Sequence, residues 1–567
     1  MEKPNFSIRV ERTALIILNL FAIINIRILF LTPSDHLEAL LFRSYTFITI
    51  FVLLFFHLMR FMNKGVSSEK LRNLIPDIIF IMVAIFIKDS ERVFLFYLLG
   101  RQTFMFIRGL ALASYEGRSR DRLAHNPPIF VLYSFMLAIF IGTLLLLLPR
   151  ATVEGEHTSL LDALFTSTSA TCVTGLIVKN TGTHFTLLGK SIILLLIQIG
   201  GLGIMTVSSA FAMILGQKLT ASSENLIQNV VGESNKVDML SLLKNIILVT
   251  IIFEIIGALL LYSTFKKLTI NGELLSNFEV IYYSIFHSIS AFCNAGFSLF
   301  EDSFIGFKSN FNINFVITFL IIFGGIGFPV LVDIKRNFME KFRFSRFSLH
   351  TKIVLCGTTF LLILGFVSYF ISEYNCTMKN FSLIDRIYSS YFQSVTTRTA
   401  GFNTIDTSAL SKPSVFTSVL FMFIGASPGS TGGGIKTTAF VILVVAVIAM
   451  LRGSRDVNIF KRKVSESIIN KVMVLITISL TLLSVMIFLL LLIEPFPFEQ
   501  TVFEAFSAFG TVGLSMGITP FLSSLGKVII IILMYFGRVG PLTLIFAISE
   551  MKAKTSYLFT EEKISIG

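Results

Sequence analysis

Charge is scarce in this sequence. Of 567 residues only 14% are Asp, Glu, Lys or Arg and 54% are hydrophobic, where a soluble domain carries about 25% charged residues. Tryptophan is absent beside 60 phenylalanines. Windows such as 131–148 and 473–493 are almost free of charge, and as helices each can cross a hydrocarbon core of about 30 Å. The scarcity excludes a soluble enzyme and reads as a polytopic membrane protein. No signal with a small-residue cleavage site is visible, so the first apolar run is expected to be retained. The four cysteines, Cys172, Cys293, Cys356 and Cys376, lack metal-ligand spacing and are expected to be free thiols. The seven histidines form no metal-ligand pair at helical spacing, and no Ser-His-Asp or paired-carboxylate arrangement is evident. A membrane-embedded enzyme, the rival from another functional class, therefore lacks its chemistry.

The net charge of +13 does not point to nucleic acid, because basic residues gather in alternate loops. Lys335, Arg336, Lys341, Arg343 and Arg346 form one group, and Arg452, Arg455, Lys461, Arg462 and Lys463 another. Near the N-terminus the groups are Lys3, Arg9 and Arg12, then Lys64, Lys70 and Arg72, then Arg118, Arg120 and Arg122. This is the positive-inside pattern, and it places both termini in the cytoplasm.

The chain also repeats itself. "FTSTSATCVTGL", "FHSISAFCNAGF", "YFQSVTTRTAGF" and "FEAFSAFGTVGL" align on Gly175, Gly296, Gly401 and Gly513. Ten residues before each glycine stands Phe165, Phe286, Tyr391 or Phe503, and Ser-Ala recurs in three copies where the third has Val395-Thr396. A long apolar segment precedes each copy, at about 129–149, 243–263, 352–371 and 472–493. Another follows, at about 187–215, 311–332, 413–451 and 525–549. Between them a stretch of some 11 to 14 residues is too short to span and reads as re-entrant. The unit is helix, half-helix, extended loop, helix. Irregular backbone at membrane depth is tolerated only when buried or lining water. Four such loops about one axis would present carbonyl rings, which can replace the hydration shell of a monovalent cation. Half-helices aiming their C-terminal ends inward would favour that cation.

These runs, extended as "TSTSATCVTGLIV", "SAFCNAGFSLF", "TTRTAGFNTID" and "SAFGTVGLSMGITP", resemble the four selectivity-filter loops of the Trk/Ktr/HKT superfamily of potassium transporters. The resemblance covers about residues 129–550. It implies one pore formed by four units of a single chain, with K⁺ as the transported ion, in some members coupled to Na⁺ or H⁺. The filter residues it implies are Val173, Thr174 and Gly175; Asn294, Ala295 and Gly296; Thr399, Ala400 and Gly401; Thr511, Val512 and Gly513. Some relatives with a serine at the first glycine carry Na⁺; Gly175 argues for K⁺, and a Na⁺-selective pathway of the same fold is the alternative. The resemblance further implies a homodimer and a cytosolic nucleotide-binding regulatory subunit. This chain shows no such soluble domain and calls for no cofactor of its own.

"GASPGSTGGGIKTT", residues 425–438, looks at first like a phosphate loop. Ile435 separates Gly434 from Lys436, and no strand precedes it, so the Walker pattern fails. Length explains it better. As one helix, 413–451 would be about 58 Å long, nearly twice the membrane core, so it is expected to break here. The other closing segments carry "GGLG" (200–203), "GGIG" (324–327) and "GRVG" (537–540) at nearly the same distance past the filter glycine. The stretch resembles the family's intramembrane gate, with candidate residues Gly425, Ser427, Gly429, Ser430, Thr431, Gly432, Gly433, Gly434, Lys436 and Arg538. Arg538 stands where the other repeats have glycine, and an intramembrane cation is a functional candidate by default. It is expected to donate to gate-loop carbonyls and repel permeating cations, the alternative being a side chain that snorkels to the inner surface. Lys436 either faces the pore or marks the start of the inner half-helix. Glu254 is expected to pair with a polar loop group, and Glu494 to sit at the outer surface.

The expected fold is an all-α membrane protein of four helix–pore-loop–helix repeats around one pseudo-fourfold pore, plus an N-terminal helical module. Residues 1–128 hold that module, with apolar segments at about 13–32, 44–62, 74–88 and 92–113. Asp77, Arg101 and Arg108 there suit a scaffold better than a voltage sensor, since the arginines are seven apart. The pore repeats are 129–216, 217–333, 334–451 with the gate loop at 425–436, and 452–567 with a short cytoplasmic tail. The expected location is the cell (inner) membrane, with the lipid bilayer as surroundings and multiple spans.

Overall fold

The computed structural model describes residues 127–154, 156–203, 239–270, 273–339, 343–454 and 456–540. The N-terminal module, the ends of the first and last closing segments and the C-terminal tail lie outside the described residues. Within them the structure is almost wholly helical, with two two-residue hairpins, Thr269–Ile270 with Glu273–Leu274 and Asn458–Ile459 with Arg462–Lys463.

Four units follow one another. The first comprises α1 (Pro127–Leu146), α2 (Leu160–Thr171) and α3 (Leu187–Leu202). The second has α4 (Met239–Phe265), α5 (Asn277–Phe292), α6 (Phe311–Ile326) and the appended α7 (Phe328–Met339). In the third, α8 (Leu349–Glu373), α9 (Leu383–Thr396) and α10 (Lys412–Phe423) precede α11 (Thr437–Leu451). The fourth holds α12 (Glu466–Ile493), α13 (Phe498–Gly510) and α14 (Ser524–Val539). Among the described residues α8, α12 and the Asn245–Phe265 part of α4 are long and apolar enough to cross a membrane alone, and α6 with α7 passes as a bent pair.

The second element of each unit is short because caps fix its ends. Ser159, Ser276 and Ser382 each accept from the backbone N–H three residues on, that of Asp162, Glu279 or Asp385. Ser276 and Glu279 complete a reciprocal capping box. It starts α5 early, so that helix has 16 residues against the 11 to 14 expected. These short helices are interior although rich in Ser and Thr: Ser167, Thr168 and Ser169 of α2 are fully buried. In the spans on α4, α8 and α12 only 28%, 33% and 17% of residues are buried. Lipid solvates apolar faces as well as a protein core does, so polarity and small size decide what packs inside. Ser167, Ser288 and Ser394 each donate to an opening-helix carbonyl, those of Ile139 at 2.7 Å, Glu254 at 2.6 Å and Leu362 at 2.8 Å.

The units pack in cyclic order. Each closing helix contacts the short helix of the next unit: α3 with α5, α6 with α9, α10 with α13, and α14 with α2 of the first unit. An ion pair joins the last contact, Lys527 Nζ to Asp162 Oδ1 at 2.8 Å.

Two expectations about segment ends are corrected. The closing segment 311–332 is not continuous: α6 stops at Ile326 and the chain turns by 98° into α7. Gly327 makes the turn with φ 101°, and a Cβ there would lie 2.5 Å from the Pro428 carbonyl oxygen. The Phe328 N–H, freed by the break, donates to the Gly429 carbonyl at 2.9 Å. The third copy of the repeat is also out of step by one. Phe165, Phe286 and Phe503 are matched in burial by Phe392, not by Tyr391, whose ring is 37% exposed. Thr396 then takes the place of Ser169, Ser290 and Ser507, and the third unit has one residue fewer between its buried phenylalanine and its glycine.

Candidate functional site

Each short helix runs into a turn just before its aligned glycine. The residue two before each aligned glycine is left-handed: Val173 (φ 57°), Asn294 (φ 59°), Thr399 (φ 74°) and Thr511 (φ 50°). Non-glycine residues resist that region by about 1–2 kcal/mol, so a common backbone at four places is a built feature. The helix itself secures the loop's N–H groups. Thr174, Ala295 and Val512 donate to the carbonyls of Ser169, Ser290 and Ser507, all at 2.8 Å, and Ala400 donates to Thr396 at 2.9 Å. Serine hydroxyls accept from Gly175 and Gly513 at 3.1 Å. The Ser290 and Thr396 hydroxyls instead donate to the carbonyls one residue past the glycine, those of Phe297 at 2.8 Å and Phe402 at 2.6 Å.

The four glycines meet. A Cβ on Gly175 would come within 2.4 Å of the Ala295 carbonyl oxygen, and one on Gly296 within 2.8 Å of that of Ala400. One on Gly401 would approach the Val512 oxygen at 2.4 Å, and one on Gly513 the Thr174 oxygen at 2.1 Å. The order is cyclic and returns to its start. These contacts join eight of the twelve sequence-predicted loop residues, Thr174, Gly175, Ala295, Gly296, Ala400, Gly401, Val512 and Gly513, and Val173, Asn294, Thr399 and Thr511 adjoin them in the chain. The carbonyls of all twelve accept no hydrogen bond among the described residues. Ten of the twelve residues are buried, and buried carbonyls are otherwise almost always paired. Chemically, this is a cluster of neutral oxygen donors suited to a hard cation.

The glycine-rich segment lies directly against these loops. It runs from α10 to α11, and a parallel bridge between Ile424 and Ile435 closes its base. Gly425 N–H donates to the Ile435 carbonyl at 2.8 Å, Ser427 N–H to Gly325 at 3.0 Å, and Thr431 N–H to Gly324 at 3.2 Å. Gly434 N–H donates to Gly537 at 3.3 Å. Gly433 N–H donates to the Thr511 hydroxyl at 3.0 Å, while the Thr431 hydroxyl donates to the Phe292 carbonyl at 3.2 Å. Ser430 donates to the Ser427 carbonyl at 2.6 Å, and Gly429 supplies the acceptor for Phe328 described above. Gly432 packs so closely on Thr399 that a Cβ would lie 2.2 Å from its hydroxyl oxygen.

Arg538 and Lys436 both turn onto this segment. The Arg538 guanidinium donates from Nη1 to the Thr431 carbonyl and from Nη2 to the Gly200 carbonyl at the end of α3. Lys436 is the N-cap of α11, and its amine donates to the Gly432 carbonyl at 2.7 Å. Lys436 thus starts the inner half-helix and reaches back to the segment. Glu254 contacts Cys293, Sγ to Oε1 being 4.0 Å. Glu494, at the end of α12, is buried, and its Oε1 accepts both the N–H and the hydroxyl of Ser523 at 2.9 and 2.6 Å, capping α14. Glu373 does the same for α10 through Ser411. Sequence reading missed Glu373; a lone acid ending an apolar run was the available signal. All four cysteines are free, Cys172 and Cys293 buried, Cys356 and Cys376 exposed.

Buried short polar helices beside mostly exposed apolar spans, with loop carbonyls that accept no hydrogen bond among the described residues, fit a helical membrane transport protein. The family model described as "TrkH: Cation transport protein" matches residues 99–557, and the chain belongs to this TrkH/Ktr family of cation transporters. It is 43% identical to "Ktr system potassium uptake protein B" of Bacillus subtilis over 427 residues, 75% of this chain and 93% of that one. It is 37% identical to "Potassium/sodium uptake protein NtpJ" of Enterococcus hirae, over 79% of this chain and 99% of that protein. Among solved structures, the potassium transporter TrkH from Vibrio parahaemolyticus shares the fold with a TM-score of 0.61 at 18% identity, covering 84% of this chain and 97% of that chain. These relatives are transport proteins, and the chain is not an enzyme.

Proposed function

We propose that the chain takes up potassium ions across the cell membrane through a filter of backbone carbonyls. The four units form the wall of a single pseudo-fourfold pore, and Val173–Gly175, Asn294–Gly296, Thr399–Gly401 and Thr511–Gly513 form the filter. The carrying observation is the set of twelve carbonyls without hydrogen-bond partners among the described residues, beside four glycines that approach one another in cyclic order. Replacing an ion's water by such oxygens is how a neutral site selects an alkali cation. The potassium uptake named for the B. subtilis relative supports the ion.

Residues 425–436 act in this reading as an intramembrane gate, with Arg538 as its latch. Segment-to-loop contacts at Thr399 and Thr511 support it. The basic loops around 335–346 and 452–463 face the cytoplasm, as do both termini. Flux is coupled to Na⁺ or H⁺ or is channel-like, and the chain works as a homodimer with a cytosolic nucleotide-binding subunit from another polypeptide. The mixed potassium/sodium name of the E. hirae relative supports a second reading, a Na⁺-selective pathway of the same fold.

The test is ion uptake by cells lacking their own potassium uptake systems, with wild type and Gly175→Ser side by side. Wild type restores growth on limiting K⁺ and prefers K⁺ to Na⁺; Gly175→Ser, whose Cβ meets the Ala295 oxygen, erodes that preference. A wild type that prefers Na⁺ replaces the potassium reading with the sodium one. A preference indifferent to Gly175→Ser removes the filter.

A further inference from the structure

The corrected register of the repeats exposes a position that apolar periodicity hides. Directly after the buried phenylalanines of the four short helices stand Thr166, His287, Gln393 and Glu504. All four are buried, none more than 2% exposed, yet no two are the same residue. Past each aligned glycine an outgoing chain leaves the loop toward the closing helix.

Two of the four hold that outgoing chain. His287 Nε2 accepts from the Leu299 N–H at 3.2 Å, three residues past Gly296, and lies 3.2 Å from the Ser298 hydroxyl. Because Nε2 accepts from a backbone N–H, the ring proton is on Nδ1, where it donates to the Tyr283 carbonyl at 2.8 Å. The imidazole is stacked on Phe300 with centroids 4.8 Å apart and packed on Phe265 and Phe304, so it has little freedom to turn. Glu504 plays the same part differently. It accepts from the Ser515 hydroxyl at 2.9 Å, two residues past Gly513, and from the Thr519 hydroxyl. The other two hold nothing: the Thr166 hydroxyl and both polar atoms of the Gln393 amide have no hydrogen-bond partner among the described residues. The glycine contacts run first to second to third to fourth, so the braced loops stand opposite each other.

We propose that His287 and Glu504 are positioning residues that brace the second and fourth filter loops from behind, so that ion discrimination is held by one opposed pair of loops and not equally by all four. The inference rests on the filter reading above. The third loop leans on the braced second one: Phe304 N–H donates to the Asn403 carbonyl at 3.0 Å, and Asn403 N–H to the Ser303 hydroxyl at 3.3 Å. A loss at His287 therefore reaches two loops. A carbonyl filter discriminates only while its oxygens keep their spacing, and supporting groups set that spacing.

The experiment is K⁺ against Na⁺ uptake by the full-length chain in liposomes. His287→Gln retains an acceptor for the Leu299 N–H; His287→Asn keeps the contact to Tyr283 but cannot reach Leu299. Glu504→Gln retains one acceptor oxygen and Glu504→Leu none. The Asn and Leu variants lose K⁺/Na⁺ discrimination by about fivefold or more, the effect of one lost hydrogen bond. Both Gln variants, and Thr166→Val and Gln393→Leu, stay within about twofold of wild type. His287→Gln and His287→Asn differ by one methylene, so equal folding with unequal discrimination separates bracing from packing. Discrimination unchanged in His287→Asn, or lost equally at all four positions, overturns the proposal. Gly175→Ser runs alongside: if it alters discrimination and the brace variants do not, bracing fails and the filter stands; if it does not, both fall together.

Discussion

Arg538→Ala is the sharpest perturbation of the proposed gate. The guanidinium makes two charge-assisted hydrogen bonds, one to Thr431 in the glycine-rich segment and one to Gly200 in another unit, so it staples the segment to the wall. Each such bond contributes about 1.5–3 kcal/mol. If both exist only in the shut state, removing even about 3 kcal/mol raises the open fraction roughly a hundredfold. The charge adds a second barrier. At 10 Å with an effective dielectric of 20, its repulsion of a permeating monovalent ion is about 1.7 kcal/mol, roughly tenfold in rate. The segment does not melt in the variant, because Ser427, Thr431, Gly433 and Gly434 keep backbone bonds of 3.0 to 3.3 Å to Gly325, Gly324, Thr511 and Gly537. Rubidium flux into liposomes should therefore rise by about tenfold to a hundredfold, with Arg538→Lys in between because one donor group and the charge remain. Unchanged or lower flux, at wild-type expression and dispersity, would refute the latch.

Gly513→Ala puts a methyl 2.1 Å from the Thr174 oxygen at φ 91°; uptake should fall by more than about a hundredfold while the protein still inserts, as flux and membrane fractionation will report. Lys527→Met leaves Asp162 in a site where both side chains are less than one-fifth exposed. It should destabilise the detergent-solubilised protein by about 3 kcal/mol, and adding Asp162→Leu should restore most of that in a thermal unfolding series. The His184 imidazole lies outside the spans, 3.1 Å from Glu156 and 2.9 Å from the Thr158 hydroxyl. Burial lowers its pKa, and Glu156 only partly opposes that. A histidine depressed in the folded state binds fewer protons than when unfolded, so stability falls with pH below the unfolded value of about 6.5 toward the lower folded one. His184→Gln should flatten thermal stability across that window; an unaltered slope would show that another group titrates there.

Much of this was legible in one sequence. Low charge and long apolar runs fixed the class through the free-energy cost of polar groups in lipid, which acts on composition alone. Four recurrent glycines exposed the repeat, and excess length at 413–451 foretold the break between α10 and α11, since a helix has a fixed rise per residue. The S-x-x-D/E pattern at Ser159, Ser276 and Ser382, a local hydrogen-bond code, also stands in the sequence but went unread there. Tertiary structure alone decided the rest. The register of the third copy depends on which aromatic is buried, and Phe392 and Tyr391 are alike as letters. The bend at Gly327 brings the Phe328 N–H to the Gly429 carbonyl in the glycine-rich segment of another unit, a partner about a hundred residues away in the chain. Glu373 and Glu494 became caps because distant serines arrive beside them, and Arg538 gained its two carbonyls from two other units. Local chemistry sets where an element begins, ends or breaks; which polar groups find one another across more than a hundred residues is settled only when the units close into a ring.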